Sequence, residues 1–386
     1  MHIPFCVRKC RYCDFLSFPA DEDTCEAYVR ALEREIWHFE DADRYEAVSI
    51  YFGGGTPSYL RADLTASILD CLRERFTVRP DAEITIECNP GTLSGEKLKI
   101  YREAGFNRLS LGLQSADDVL LERLGRIHTY EMFREEYIRA RREGFDNINV
   151  DLMYALPGLD LEGWNETLEK VLNLPNESAS GSRDSGPEHI SAYSLIIEEG
   201  TPFWEMYHED AEARARGDRP LFLPCEEEED RMLALLEKKL SERGMHRYEI
   251  SNYAPDGYES VHNTGYWVRR EYAGFGLGAS GQLGHLRLKN TEDLSAYLSG
   301  DAPAKTQLLT RKEEIEETMF LGLRMMRGVN LEKFAETFGI RAEELYARQI
   351  KDLSRMELLE MKDGYLFLSQ RGIDVSNLVL SEFLLD

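Results

Sequence analysis

Short apolar runs bounded by polar turns recur through the first half of the chain, at 47–52, 84–87, 108–113, 148–153 and 189–195. Each is short and largely apolar, so all five read as buried strands. Between them lie stretches with apolar positions at helical spacing, among them 24–40 and 64–75. Strands alternating with helices predict an α/β fold with a parallel sheet of βα units, closed or partly closed as a TIM-like barrel. Gly53-Gly54-Gly55-Thr56, Glu87, Gln114 and Asp151 stand at or just after the C-terminal ends of these strands. That rim is where barrel folds do chemistry, although a lone polar residue there is more often a helix cap or a turn former.

Past residue 304 the pattern becomes helical, over 312–327 with Gly328 as a C-terminal cap, then near 331–338 and 342–355. A hairpin follows at 357–368, with Asp363-Gly364 at its turn. Helices plus a hairpin predict a winged-helix-like unit. The expected organisation is a barrel at 1–205, a barrel-associated extension at 206–304 and the winged-helix-like unit at 305–386. A run rich in Ser, Gly and Asn at 176–188 reads as a flexible insertion. Glu226 to Asp230 reads as a solvated charge run opening a helix, where acids suit the N-terminal dipole.

Charge narrows the partners. The 386-residue chain carries 71 acidic and 46 basic residues, a formal charge of -25, which disfavours nucleic acid even for a winged helix. No apolar run is long enough to span a membrane and the first residues do not resemble a signal peptide, so a cytoplasmic protein is expected. Seven cysteines, three of them clustered, argue against a disulfide framework. Cys25, Cys71, Cys88 and Cys225 are expected to be buried thiols.

The cluster itself, Cys6, Cys10 and Cys13, brings three soft ligands together from one short loop. Three thiolates on a four-iron cluster leave one iron open to a small molecule. A structural zinc completed by His2 is the other reading. The glycines at 53–55 let a ligand approach the backbone, or simply make a tight βα turn. The segment lacks the features of a phosphate loop or a dinucleotide fingerprint, so a small ligand with amino and carboxylate groups fits better.

These residues resemble the radical S-adenosylmethionine (SAM) superfamily. HIPFC, YFGGGTPS, ECNPGTL, LSLGLQS, LGRIH, DLMYALPG and HISAYSLIIEEGTP are similar to the branch that contains oxygen-independent coproporphyrinogen III oxidase. The resemblance implies a [4Fe-4S] cluster on Cys6, Cys10 and Cys13, with SAM chelated to its open iron. It also implies that Gly54, Gly55 and Thr56 line the methionyl part of SAM while Glu87, Gln114, Arg126 and Asp151 hold its polar groups. Taken alone, Arg126 reads equally well as a surface helix charge.

Within that branch, Cys13-Asp14-Phe15 resembles the HemW-type heme chaperones, since the oxidases carry a further cysteine where Phe15 stands. The segment from His262 to Trp267 matches their H-N-x-x-Y-W motif. This resemblance implies heme as cargo, heme-accepting apo-proteins and an electron donor as partners, and peripheral contact with membrane proteins. His262 is the candidate heme ligand, with Tyr266 and Trp267 as pocket wall, or the segment is a hydrogen-bonded turn anchored by its aromatics. Under the oxidase alternative the chain decarboxylates porphyrinogen propionates. The glycine-rich run 272–281 reads as a loop over the barrel mouth or a plain turn. Relatives carry a strand before HIPFC, so a truncated first strand and a less stable cluster are expected.

Overall fold

The computed structural model describes residues 1–176, 185–301 and 303–385. Six strands run parallel in chain order: β1 (His2–Ile3), β2 (Glu46–Gly54), β3 (Thr77–Cys88), β4 (Arg108–Gln114), β5 (Ile148–Tyr154) and β6 (His189–Ser194). An antiparallel pair, β7 (His246–Glu249) and β8 (Asn252–Ala254), extends the sheet beyond β6, so the sheet ends at β1 and β7 and does not close on itself. This is the expected α/β partial barrel. The central strands are buried on both faces, which explains their continuous apolar composition. Alternate positions on one face are polar: Ser110 and Gln114 on β4, Asn149 and Asp151 on β5, Ser191 on β6.

Helices α1 (Glu22–Trp37), α2 (Ala62–Arg75), α3 (Gly95–Ala104), α4 (Asp118–Leu124), α5 (Tyr130–Arg142) and α6 (Leu161–Leu172) fill the crossovers. Their starts follow local chemistry. Asp21, Ser94, Asp117, Thr129 and Asp160 each accept a backbone N–H of the first turn, and α3 and α4 end on Gly105 and Gly125 in the left-handed conformation. Helices α7 (Pro202–Ala215) and α8 (Glu226–Glu242) follow β6, and the four glutamates of 226–229 form the first turn of α8 as expected. Cys225 is half-buried at the start of α8, not buried, unlike Cys25, Cys71 and Cys88.

After α9 (Val261–Trp267), strands β9 (Ser280–Leu283), β10 (Leu286–Lys289) and β11 (Lys305–Leu308) make a small antiparallel sheet, with α10 (Leu294–Ser299) between the last two. The loop at 272–281 seals the edge of β1: the Phe275 carbonyl accepts the His2 amide at 2.9 Å, and Tyr28 Oη bridges the His2 carbonyl and the Leu277 amide. The first strand is thus two residues long but paired on both sides.

The remainder comprises α11 (Arg311–Gly322), β12 (Val329–Asn330), α12 (Leu331–Phe338), α13 (Ala342–Leu345), α14 (Ala347–Arg355), β13 (Leu359–Lys362), β14 (Tyr365–Leu368), α15 (Gln370–Asp374) and α16 (Ser376–Ser381). It has its own apolar core around Met319, Phe334, Leu366 and Phe383. The β13–β14 turn places Asp363 and Gly364 at φ 51° and 79°, the conformation that Asp-Gly hairpins favour. The expected helix at 312–327 stops at Gly322, and that at 342–355 breaks at Tyr346, which is fully buried with its hydroxyl on the Phe383 carbonyl. This unit docks on the β7 edge, where the Met326 amide donates to the Tyr248 carbonyl at 3.0 Å. Among the described residues no helix is long and apolar enough to cross a membrane. Most of the insertion expected at 176–188 lies outside the described residues.

Arg141 and Glu188 form an ion pair at 2.8 Å, both side chains fully buried, and Glu188 also accepts the Ile148 amide at the start of β5. Arg141→Met leaves that carboxylate buried without its cation. The expected loss is about 3–5 kcal/mol, read as a lower midpoint in urea unfolding followed by circular dichroism.

Candidate cofactor and ligand site

The cysteine loop is pinned to the glycine run by its backbone. Gly55 and Thr56 amides donate to the Ile3 and Phe5 carbonyls, each at 2.8 Å. A Cβ on Gly55 would stand 2.8 Å from the Phe5 oxygen, and one on Gly54, at φ 113°, would stand 2.0 Å from the His2 ring. Both positions therefore require glycine. The seam sets Cys6 Sγ 3.2 Å from Thr56 Oγ1, while the loop's other end rests on the C-terminus of α4 through the Arg11 amide and the Leu124 carbonyl. Cys10 and Cys13 are half-buried, and burial pushes the thiols of Cys6 and Cys13 up.

The loop fits a polynuclear cluster and not the zinc site. His2 turns away: its Nδ1 lies 2.5 Å from the Leu277 carbonyl and its ring lies beneath Gly54. Among the described residues, the trio of ligand atoms that falls within 4.8 Å of one another is His246, Asp256 and Glu259, not the three thiols. Tetrahedral zinc with bonds of roughly 2.3 Å would draw sulfurs to within about 4 Å.

The three cysteines open on a cavity of about 380 Å³ whose opposite wall is the polar face of the sheet. Gly54, Gly55 and Thr56 line one side of it, and Glu87, Gln114, Arg126 and Asp151 line the rest. Glu87 accepts from Tyr51 Oη at 2.7 Å and from the Gly54 amide at 3.1 Å. Burial outweighs these contacts and pushes its carboxyl up to about 7. Asp151 is likewise raised by burial, and accepts from Asn149 Nδ2 at 2.8 Å and Ser110 Oγ at 3.2 Å. Arg126 is no surface charge. It donates to Asn89 Oδ1 at 2.7 Å, to the Gly112 carbonyl at 2.5 Å and to Cys10 Sγ at 3.5 Å, while its Nε is buried with no partner. Gln114 ends β4 at φ 73°.

Reasoning from motifs passed over Asn89, which ties the glycine run to Arg126 by donating to Thr56 Oγ1 at 2.7 Å. It also passed over Ser110, Asn149 and Ser191. The signal for these was their alternate spacing along strands otherwise apolar.

His262 lies elsewhere, in a neighbouring cavity of about 1080 Å³. Glu83, on β3, holds the start of α9 by accepting the amides of Val261 at 2.9 Å and His262 at 3.0 Å. The His262 ring stacks on Tyr51 at 4.5 Å, with Nδ1 3.3 Å from Ser49 Oγ and Nε2 3.1 Å from Tyr266 Oη. Burial lowers its pKa to about 3, so the imidazole is neutral and able to ligate a metal. The two cavities share Tyr51, Gly54, Glu87, Tyr193 and Asn263.

Comparison with known proteins follows this division. The Radical SAM superfamily matches residues 1–171 and the HemN C-terminal domain matches residues 309–375. The heme chaperone HemW of Bacillus subtilis (strain 168) is 36% identical over 391 residues, covering 100% of this chain and 98% of that protein. HemW of Lactococcus lactis subsp. lactis (strain IL1403) is 37% identical, covering 100% and 96%. The chain belongs to the HemW family of the radical SAM superfamily. The fold agrees: coproporphyrinogen III oxidase (HemN) from Escherichia coli superposes with a TM-score of 0.81 at 22% identity, over 99% of this chain and 88% of that one.

Membership of the superfamily implies a [4Fe-4S] cluster and SAM, and this HemW-family site suits both. Three soft sulfur ligands face a polar cavity in which a buried guanidinium nitrogen lacks a partner. Because the Glu87 carboxyl is raised by burial, it destabilises the fold increasingly as pH climbs from about 4.5 to about 7, and the cost is constant above that. Glu87→Gln removes it, with the amide oxygen on the Gly54 N–H and the amide nitrogen on Tyr51 Oη. The cluster-free variant is expected to match the parent at pH 5 and to exceed it by roughly 2–3 kcal/mol at pH 8, in urea titrations at both pH values.

Proposed function

We propose that the chain is a heme chaperone, which binds heme in the large cavity and passes it to apo-proteins in the cytoplasm. The observation that carries this reading is the neutral imidazole of His262, stacked on Tyr51 and facing a cavity of about 1080 Å³ beside the cysteine loop. A porphyrin needs an apolar enclosure and an available imidazole, and the walls supplied by Phe39, Phe76 and Phe275 answer the first need. Tyr266 holds His262 Nε2 until iron replaces that contact, and Trp267 closes the same wall.

On this reading Cys6, Cys10 and Cys13 hold the [4Fe-4S] cluster, and Gly54, Gly55 and Thr56 face the methionyl end of SAM. Arg126 pairs with its carboxylate, while Glu87, Gln114 and Asp151 take its remaining polar groups. The cluster, when bound, supplies one-electron reducing power from an external donor. The chain's own residues hold SAM next to the wall shared with the heme cavity. Phe15, exposed at the cluster loop, stands where the oxidase reading calls for a further cysteine.

Three measurements test this. After anaerobic reconstitution, His262→Ala is expected to weaken heme binding at least about tenfold by Soret titration, with iron and sulfide content unchanged. Unchanged affinity removes His262 from the site. Cys10→Ala is expected to abolish the cluster's visible absorbance while the cluster-free protein keeps its helical circular dichroism. Turnover of coproporphyrinogen to a decarboxylated product by the parent would replace the chaperone reading with an enzymatic one.

A further inference from the structure

Two guanidinium groups flank α9 where it faces the large cavity, and neither donates a hydrogen bond to a carboxylate. Arg324 reaches in from the turn after α11 and stacks on Trp267, its Cζ 4.3 Å from the ring centroid. Its nearest acid is Glu249, at 3.8 Å, beyond hydrogen-bond reach. Glu249 is fully buried. One of its oxygens serves the Ser251 amide and Asn252 Nδ2, while Oε2 has no hydrogen-bond partner, and Arg324 Nε has none either. Arg270 lies against α9 at Gly265, its Nη1 3.3 Å from the Val261 carbonyl, and among the described residues no carboxylate pairs with it.

Acids outnumber bases 71 to 46, and Arg61, Arg141 and Arg247 each sit within 3.0 Å of a carboxylate. Of the other acids that line the same cavity, Glu87 is held by Tyr51 and the Gly54 amide, Glu271 accepts the Gly284 amide at 2.6 Å, and Glu46 is exposed at the start of β2. Two arginines with free hydrogen-bonding capacity beside an apolar enclosure describe a receptor for a molecule with a flat apolar body and anionic ends.

We infer that Arg270 and Arg324 bind the carboxylate side chains of the cavity's ligand, so that the site reads the propionates of a tetrapyrrole independently of its iron. This rests on the heme reading above and adds the contacts that orient the ligand. Arg324 belongs to the C-terminal unit, so a bound carboxylate joins that unit to the barrel through the ligand. Planar guanidinium matches carboxylate in two parallel hydrogen bonds, which lysine does not reproduce.

The test is a Soret titration of the cluster-loaded protein with hemin and with hemin dimethyl ester, whose propionates are masked. The parent is expected to prefer hemin, and Arg270→Gln and Arg324→Gln each to lose about tenfold in hemin affinity while ester binding stays within about twofold. Arg324→Lys is expected to fall between. Equal losses for hemin and ester, or no loss for either, overturn the inference. Arg324→Gln leaves Glu249 without its cation and can fail to fold. Arg270→Gln, on the exposed flank of α9, decides the matter in that event. A parent that binds hemin and ester equally, still dependent on His262, keeps the heme reading and sinks this one. A parent that binds neither removes both.

Discussion

The contact on which the rest depends is the close approach of two backbones, with Gly55 and Thr56 donating to Ile3 and Phe5. No side chain fits in the gap at Gly55. This seam converts a two-residue strand into an anchored edge, delivers Cys6 beside Thr56 and turns the cysteine loop towards the polar face of β3 to β5. Without it the cysteines would be three thiols on a surface loop. With it they face Glu87, Arg126 and Asp151 across one small room.

A second constraint acts at long range. Glu83, deep in β3, caps α9 and so fixes where His262 stands, while Tyr51 sets the tilt of its ring by stacking. The cap draws on two forces at once, charge-assisted hydrogen bonds and the positive end of a short helix. The C-terminal unit completes the enclosure by docking its Met325–Met326 turn on β7. The large cavity is therefore built from three stretches of chain that are far apart in sequence, the barrel strands, α9 with its following loop, and the turn after α11.

How much of this was legible in the sequence follows from the range of the forces involved. The five strands and the helices between them show in local periodicity, because burial on both faces or on one stripe leaves a pattern within ten residues. The Asp-Gly hairpin and the α8 glutamates are equally local. Sites placed at strand ends were also legible, since Glu87, Gln114 and Asp151 do meet in one cavity. What escaped were roles created by contacts between distant positions. Glu83 stands just before the apolar run at 84–87 and carries no local sign of its role. Arg126 was ambiguous until Asn89 and Gly112 surrounded it, and the motif at 262–267 left open whether His262 lines a pocket or a hydrogen-bonded turn. The break at Tyr346 was hidden for the same reason, because its hydroxyl answers to Phe383.

The two cavities share a partition built from Tyr51, Glu87, Tyr193 and Asn263. Tyr51 carries this furthest, binding Glu87 through its hydroxyl on one side and stacking on His262 through its ring on the other. In evolutionary terms such a residue answers to two ligands, and a drift that suits one is screened by the other. Phe39 or Leu72, which border the larger cavity alone, carry no such double obligation. Divergence of cargo within this lineage is accordingly expected to accumulate on the outer walls first, leaving the partition as the slowest-changing surface in the protein.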